Sequence, residues 1–231
     1  MLQFFAKYKK FAIFMAIFSA IILYIIYTLL KPPPSLPVFQ PTMVDASLVD
    51  SSKQFEKKFH RIADFKLVNQ NGDTITQDDY KNKIYVADFF FTTCQTICPI
   101  MTDHMIKIQE KIMNDDKVKL LSHTVIPEID SVAQLKRYAE EKGVNDSKWN
   151  LVTGPKKEIY DLARKSYLAV KTTGNGGKYD MIHTENFMLI DSKKRIRGFY
   201  DGTDPDAIEK LLKDIKTLEE IENSSHSEQS Q

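Results

Sequence analysis

An uninterrupted apolar run near the N-terminus places the strongest constraint on how this chain can fold. Residues 11–30 (FAIFMAIFSAIILYIIYTLL) contain no charged residue, glycine or proline. As a helix, about 20 residues cross the ~30 Å hydrocarbon layer of a membrane. A cleaved signal peptide has a shorter apolar core, roughly 7–15 residues, and a small-residue cleavage site, whereas residues 31–34 read KPPP. We therefore predict a permanent transmembrane anchor at residues 11–30.

The charges beside this run predict its orientation. Lys7, Lys9 and Lys10 precede it, and only Lys31 follows it closely. Because lysine-rich ends stay in the cytoplasm, residues 1–10 are expected there and everything after residue 31 on the outer side. No Arg-rich, Ser-rich transit sequence precedes the run, which favours a bacterial inner (cytoplasmic) membrane crossed once, with the C-terminal domain in the periplasm.

The composition excludes several classes of function. A chain with 42% apolar and 27% charged residues can bury a globular core. Its 32 Lys and Arg are matched by 31 Asp and Glu, so there is no basic surplus to bind a phosphate backbone, and we expect no nucleic acid partner. Two cysteines are too few for a disulfide framework and leave one local pair to explain.

The rest of the chain has the pattern of one α/β domain with flexible ends. Five of the nine prolines fall between residues 32 and 41, so residues 31–51 are expected to form an extended linker. The domain is expected at residues 52–221, and the polar residues 222–231 as a disordered tail. Periodicity predicts the following elements: a hairpin at 65–75 around Asn71-Gly72, strands at 84–91, 118–126, 185–190 and 195–200, and helices at 100–113, 131–142, 156–167 and from Asp204 onward. This order predicts an α/β sandwich of the thioredoxin type.

The cysteine pair carries most of the functional information. Cys94 and Cys98 follow an apolar strand and precede a helix with Pro99 in its first turn. On a helical turn their Cα atoms would lie about 6 Å apart, within reach of a disulfide or a shared metal. A helix N-terminus favours thiolates, which suit Cu(I) or Zn(II). The alternatives are a structural disulfide or two ordinary buried thiols, but a disulfide that closes so short a loop would stabilise the fold little.

A metal site would need a further ligand, and four histidines lie within the predicted domain. His104 is six residues after Cys98, about 240° around a helix, so it is expected at the surface. His123 falls within a predicted strand, where a packed role is expected, and His60 has no informative context. His183 directly precedes a strand that the sheet could place beside the cysteine strand. Its spacing alone leaves a structural role open.

These residues resemble the SCO/SenC family of copper-binding proteins of cytochrome c oxidase assembly. The resemblance rests on the anchored N-terminus and on three stretches: VADFFFTTCQTICPIMT (86–102), PEIDSVAQLKRYAE (127–140) and IHTENFMLID (182–191). They occur in the family's order over about residues 60–218. The resemblance implies a thioredoxin-like fold in which Cys94, Cys98 and His183 bind one copper ion as Cu(I), with Cu(II) left open. It also implies a partner, cytochrome c oxidase subunit II, whose CuA site would receive copper or have its cysteines reduced.

The chain departs from the family pattern around the expected ligands. Many members carry an Asp between the cysteines and another directly before the histidine. Here the residues between the cysteines are QTI, and Ile182 precedes His183. Such carboxylates orient ligands, so their loss is expected to change copper affinity, and Asp180 is the carboxylate that could substitute. Met101 and Met105 lie on the helical face of Cys98, where core packing is expected.

The leading hypothesis is thus a membrane-anchored copper chaperone, and an enzyme is the main alternative. In that alternative Cys94 and Cys98 form the redox-active pair of a thiol-disulfide oxidoreductase. A third hypothesis is a redox or copper sensor. Because a disulfide cannot hold Cu(I), copper loading requires a thiol reductant as a partner. The three-residue spacing of the cysteines and the absence of proline at residues 179–183 argue against a general oxidoreductase, so enzymatic activity stays open.

Overall fold

The computed structural model describes residues 8–30, 34–49, 55, 60–170, 174, 177 and 180–228. The chain divides into two units, residues 1–34 and 35–231. The first unit contains helix α1 (Lys9–Leu30). Within it, Lys9–Thr28 is long and apolar enough to cross a membrane, and its side chains are exposed. A helix therefore occupies the predicted anchor.

The second unit is built on a seven-stranded mixed sheet. Its strands are β1 (Lys66–Asn69), β2 (Thr74–Thr76), β3 (Ile84–Phe90), β4 (Val118–Thr124), β5 (Trp149–Thr153), β6 (Asn186–Ile190) and β7 (Ile196–Asp201). They are ordered β2-β1-β5-β4-β3-β6-β7. The central pairs β3·β4 and β4·β5 are parallel, and the other pairs are antiparallel. The helices are α2 (Ile97–Lys111), α3 (Val132–Lys142), α4 (Lys156–Asp161) and α5 (Pro205–Glu228).

The two faces of the sheet bury two separate cores. Every residue of β3 is buried, as expected for a central strand covered on both faces. Val86 and Phe90 pack with side chains of α2, α3 and α5. Tyr85 and Phe89 point to the other face and pack with α4 and the π-helical turn Leu162–Ser166 that continues it. The predicted thioredoxin-type α/β sandwich is confirmed, and β3 is an interior strand of its sheet, between β4 and β6.

The proline-rich segment differs from the expected linker, because it packs against the domain from residue 35 onward. The Phe39 N–H donates to the carbonyl of Ile196 (2.9 Å), and the Phe39 ring lies edge to face on Phe199. The Arg197 guanidinium donates to the carbonyls of Leu36 (2.8 Å) and Pro37 (2.9 Å). Proline keeps this backbone extended, but its neighbours can still accept hydrogen bonds and bury apolar side chains along β7. Residues 50–54 and 56–59 lie outside the described part.

The C-terminal end also differs from the expected disordered tail. Helix α5 continues to Glu228, beyond the predicted domain end at residue 221. The Glu222 carboxylate accepts hydrogen bonds from the N–H (3.0 Å) and hydroxyl (2.8 Å) of Ser192, and the Ser225 hydroxyl donates to the Ile221 carbonyl (3.1 Å). The polar residues at this end of α5 therefore have hydrogen-bond partners within the helix and on the loop after β6, which the composition of the sequence alone does not reveal. Residues 229–231 lie outside the described part.

Candidate metal centre

Both cysteines lie at the carboxyl end of β3, the edge where open α/β sheets place their sites. Cys94 follows the strand in a short loop, and its N–H donates to the Phe91 carbonyl (3.3 Å). Cys98 lies in the first turn of α2, which begins at Ile97, earlier than the predicted start at residue 100. Both thiols are free; Cys94 is half-buried and Cys98 is buried. The pair therefore has one accessible sulfur and one covered sulfur.

The loop before the cysteine pair is fixed by Asp130, the fourth residue of the PEIDSVAQLKRYAE stretch. Asp130 accepts hydrogen bonds from the N–H (3.2 Å) and hydroxyl (2.6 Å) of Thr92, and also from the hydroxyl of Thr124 at the end of β4. Gln134 in the first turn of α3 donates to the same Thr92 hydroxyl (3.0 Å). These bonds tie the cysteine loop to β4 and α3, so the loop is held without a disulfide.

The two thiols have opposite acidities. Burial alone would raise the pKa of Cys94, but the N–H groups of Thr96 and Cys98 donate to its sulfur and lower that pKa to about 7. The Thr96 hydroxyl adds a contact of 3.6 Å to the same sulfur. For Cys98, burial raises the pKa to about 12, and the neighbouring Cys94 sulfur adds to that rise. Near pH 7, about half of the partly exposed Cys94 is therefore thiolate, whereas Cys98 retains its proton.

His183 lies at the same edge of the sheet. Strand β6 pairs with β3 in antiparallel fashion, so the residues that lead into β6 meet the carboxyl end of β3. The His183 imidazole is exposed and lies edge to face against the ring of Phe91, with 5.8 Å between centroids. Among the described residues, no three His, Cys, Asp or Glu side chains stand close enough together to hold a metal. The fold thus brings all three predicted residues to one region but does not gather them into a coordination site.

Two of the other histidines, His104 and His123, are buried and have a ring nitrogen close to a backbone carbonyl. His104, expected at the surface, is buried instead, and its Nδ1 lies 2.7 Å from the Gly202 carbonyl. The face of α2 opposite Cys98 is not free, because the turn leading into α5 covers it. His123 is packed as predicted: it stacks on Phe89, its Nδ1 lies 3.3 Å from the Asp88 carbonyl, and burial lowers its pKa to about 4.

Met101 and Met105 are both buried in the core between α2 and the sheet. Their predicted packing role is confirmed. Neither sulfur is offered to solvent beside the cysteine pair, so the structure gives no support for thioether ligands. Their length and flexibility suit the irregular space beneath a helix.

Asp88 is a buried titratable residue that the sequence patterns did not single out. It lies on β3 on the same side as Val86 and Phe90, the side that α2 covers, and it is only 3% exposed. Burial raises the pKa of its carboxyl to about 7, although a hydrogen bond from the Ser122 hydroxyl opposes the rise. Its Oδ1 has no hydrogen-bond partner among the described residues. A carboxylate within a fully buried strand is the sequence signal that could have identified it.

The fold and the site define a class of protein: a thioredoxin-like α/β domain with a Cys-x-x-x-Cys pair at the carboxyl end of the interior strand β3 and a histidine in the same region. The sequence profile of the SCO1/SenC family matches residues 53–220. The chain belongs to the SCO1/SenC family.

Individual relatives agree in sequence and in fold. The SCO1 protein homolog of Bacillus subtilis is 31% identical over 160 residues, which cover 68% of this chain and 82% of that protein. The solved structure of BsSco, described as a cytochrome c oxidase assembly protein with a disulfide switch, is 31% identical, with a TM-score of 0.58 over 69% of this chain and 93% of its own. Bradyrhizobium japonicum ScoI, solved with copper bound, is 26% identical, with a TM-score of 0.55 over 69% and 99%.

Proposed function

We propose that this protein is a membrane-anchored copper chaperone. It binds Cu(I) through Cys94, Cys98 and His183 and delivers the ion to the CuA site of cytochrome c oxidase subunit II during assembly. The observation that carries the proposal is the position of the His183 ring against Phe91, the residue whose carbonyl accepts from the Cys94 N–H. Membership of the family, and the copper bound by the ScoI relative, support the choice of ion.

The chemistry of these donors suits Cu(I) as cargo. Two thiolates and a neutral imidazole are soft or borderline ligands, and around Cu(I) they leave one net negative charge. The first turn of α2 can stabilise that charge, since the Cys98 N–H already points at the Cys94 sulfur. Binding must displace the proton of Cys98, so copper affinity is expected to rise with pH. The half-exposed Cys94 sulfur is the point where a thiolate of the partner could begin ligand exchange.

Copper titration of the full chain in detergent tests this proposal. The reduced protein should take one Cu(I) per chain in competition with a cuprous chelator, and the oxidised protein, with a Cys94–Cys98 disulfide, should take none. Cys94→Ser or Cys98→Ser should abolish tight binding, and His183→Ala should weaken it by at least the roughly 10- to 100-fold that loss of an outer-shell partner costs. The matched control His226→Ala removes an imidazole from α5 and should leave the affinity unchanged. Unaltered affinity in His183→Ala would remove the histidine from the ligand set.

A second candidate function is favoured by the difference in acidity between the two thiols. In a thiol-disulfide oxidoreductase, the Cys94 thiolate would attack one sulfur of a partner disulfide, forming a mixed disulfide and releasing one partner thiolate. Cys98 would then lose its proton and attack the Cys94 sulfur, which releases the second partner thiolate. The partner is thereby reduced by two electrons, and the Cys94–Cys98 pair is oxidised. A separate thiol reductant would be needed to reset the pair.

The two functions are separated by the role of the imidazole. A chaperone requires His183 for copper affinity, whereas disulfide exchange needs only the cysteines as reacting groups. If His183→Ala kept full Cu(I) affinity and reduced an oxidised CuA-site peptide as fast as the unaltered protein, the enzyme would be the better assignment. Loss of Cu(I) affinity in His183→Ala, with slow or absent reduction of the peptide by the unaltered protein, would support the chaperone.

We further propose that the anchor lies in a bacterial inner membrane and that the domain faces the periplasm. The support is the charge asymmetry around α1, with Lys7, Lys9 and Lys10 before the apolar run. In that oxidising compartment the pair would form a disulfide unless a thiol reductant maintained it. Copper loading in this location therefore depends on the supply of reductant.

A further inference from the structure

A buried ion pair ties the segment that leads to His183 to the helix layer below it. Arg164 lies in the π-helical turn Leu162–Ser166, and Asp180 lies three residues before His183. Two guanidinium nitrogens, Nη1 and Nη2, each lie 2.7 Å from a different carboxylate oxygen of Asp180. The side chains are only 7% and 9% exposed. A two-pronged pair of this kind fixes direction as well as distance, which a lysine could not do.

The backbone around Asp180 is fixed by further contacts. The Tyr160 hydroxyl lies 3.1 Å from the Asp180 carbonyl and 2.9 Å from the Val125 carbonyl at the end of β4. The Arg164 guanidinium also lies over the Tyr160 ring, 5.3 Å from its centroid. Arg164 therefore holds the carboxylate of Asp180, and Tyr160 holds its carbonyl. The backbone at Asp180, three residues before His183, cannot shift without breaking these interactions.

The other side of the ion pair is closed by a glycine. Gly174 has a φ of +128°, which L side chains rarely adopt. A Cβ at this position would overlap Nη2 of Arg164 and both carboxylate oxygens of Asp180. The backbone thus passes directly over the pair, and only glycine allows this approach. The pair is enclosed rather than lying at a solvated surface, so water competes weakly for its charges.

Beyond Asp180 the segment has little freedom. Ile182 is 2% exposed and Thr184 is 8% exposed, whereas His183 between them is exposed. The Thr184 hydroxyl accepts from the N–H of Asn186 (3.2 Å), the first residue of β6. The His183 backbone is consequently held on both sides, and its imidazole changes position mainly by rotation of its own side chain.

We propose that the Arg164–Asp180 pair is a positioning device for the metal site, holding the His183 backbone so that the imidazole can turn from Phe91 to the cysteine sulfurs. This inference rests on the proposed function, because it assumes that His183 is a copper ligand. In this chain the residue directly before the histidine is Ile182, which cannot orient the ring through a carboxylate. The ion pair acts on the backbone instead.

Substitutions of the arginine test the proposal in the full-length, detergent-solubilised and reduced protein. Arg164→Lys keeps the charge but loses the two-pronged geometry, and it should weaken Cu(I) binding about 10-fold in a chelator competition. Arg197→Lys is the matched control, because Arg197 is equally buried (4% exposed) and also pairs with a buried carboxylate, that of Asp191 (3.1 Å). The control should bind Cu(I) as the unaltered protein does.

The discriminating measurement repeats Arg164→Lys in the His183→Ala background. If the ion pair acts through the imidazole, Arg164→Lys should weaken Cu(I) binding in the protein that keeps His183. It should leave Cu(I) affinity unchanged in the His183→Ala protein. An equal loss in both backgrounds, or no loss in either, overturns the inference. If His183→Ala by itself leaves the affinity unchanged, the proposed ligand fails, and that result is obtained without altering Arg164.

A second variant covers the case in which Arg164→Lys does not fold. Arg164→Met combined with Asp180→Leu removes both charges together, so neither is left buried without a partner. Near-ultraviolet circular dichroism and the unfolding midpoint report whether the fold is retained. The folded double variant should show the same His183-dependent, roughly 10-fold loss of Cu(I) affinity. Unchanged affinity in this folded variant would overturn the inference.

Discussion

At the residue scale, the proton on the Cys98 thiol opposes both proposed reactions, Cu(I) binding and disulfide exchange. Copper binding and disulfide formation each require the Cys98 thiolate, yet burial raises the pKa of this thiol to about 12. The Cys94 thiol, with N–H donors around its sulfur, has a pKa of about 7. The helix N-terminus predicted from the sequence therefore activates one sulfur and leaves the other protonated until a metal or a disulfide bond takes its place.

This difference predicts unequal reactivity of the two cysteines. In the Cys98→Ser variant, alkylation of Cys94 by iodoacetamide should increase with pH through a midpoint near 7. In the Cys94→Ser variant, alkylation of the buried Cys98 should be at least about 10-fold slower at pH 7, because little thiolate is present. Mass spectrometry of timed samples measures both rates. Equal rates in the folded variants would contradict the assigned acidities.

Asp88 predicts a specific dependence of stability on pH. Its carboxyl pKa is raised from 3.8 to about 7, so the folded state holds a proton that the unfolded state has lost. The resulting stability is fully present below pH 3.8 and is lost as the pH rises through 7. At about 1.4 kcal/mol per pH unit, the loss reaches at most about 4 kcal/mol. Asp88→Asn should therefore gain stability over the unaltered protein between pH 4 and pH 8.

The free energy of urea unfolding at several pH values measures this gain. His123 also titrates differently in the folded and unfolded states, so it contributes to the same pH dependence. The His123 pKa is lowered to about 4, so its contribution has the opposite sign: it is present above pH 6.5 and is lost as the pH falls through 4. The two slopes oppose each other between pH 4 and 6.5, and Asp88→Asn should expose the His123 slope. Asp103→Asn, which alters an exposed carboxylate on α2, is the control. A pH-independent difference between Asp88→Asn and the unaltered protein would contradict the prediction.

At the scale of elements, the segment before the sheet belongs to the domain and should contribute to its stability. Pro41 and Val49 are buried, Phe39 packs on Phe199, and Arg197 binds two carbonyls of the segment. A chain that begins at residue 52 should therefore be less stable than one that begins at residue 35, by about 2–5 kcal/mol. The free energies of urea unfolding of the two proteins give the comparison.

A point substitution provides a milder test of the same contact. Phe39→Ala in the chain that begins at residue 35 removes the edge-to-face ring contact of 5.3 Å with Phe199. Because Phe39 is only half-buried, the expected cost is about 1–3 kcal/mol, below that of a fully buried ring. Ser35→Ala, at an exposed position, is the control and should cost little. Equal stability of Phe39→Ala and this control would contradict a packed segment.

The elements that were predicted correctly are those with local signals. Strand β3 is apolar except for Asp88, and the β1–β2 hairpin surrounds Gly72, whose φ of +84° explains the Asn-Gly pair. The sequence pattern does not predict strand β5, because its five residues include the polar Asn150, which donates to the hydroxyl of Tyr80 (2.9 Å) in the turn before β3. The strands that pair with β5, namely β1 and β4, are distant from it in the sequence, and the local apolar periodicity does not predict such pairing.

The same distinction separates the parts of the candidate site. The cysteine pair and His183 were identified from a motif and a resemblance, and the fold brings them to one edge. The roles of Asp130, Arg164 and Asp88 depend on contacts between residues 16 to 38 positions apart, or on burial. Such contacts arise only from the arrangement of whole elements. For this reason the sequence predicts the reacting groups better than the residues that hold them in place.

At the scale of the whole molecule, the anchor determines which compartment the cysteine pair faces. Helix α1 has apolar side chains on all sides, which is unfavourable in water and suits a lipid environment. The lysines that precede it predict a cytoplasmic N-terminus. With a single span, this orientation predicts that the domain, and with it the partly exposed Cys94, lies on the opposite side of the membrane.

Labelling with a membrane-impermeant maleimide tests this orientation in bacterial cells that have lost their outer membrane. In the Cys98→Ser variant, Cys94 should be labelled in intact cells, because its sulfur is half-exposed and its thiol has a pKa of about 7. The matched control carries Gln3→Cys with Cys94→Ser and Cys98→Ser, and its single thiol should be labelled only after lysis. Alkaline carbonate should leave both proteins in the membrane pellet. Labelling of residue 3 in intact cells, with protection of Cys94, would reverse the orientation and place the proposed copper site in the cytoplasm.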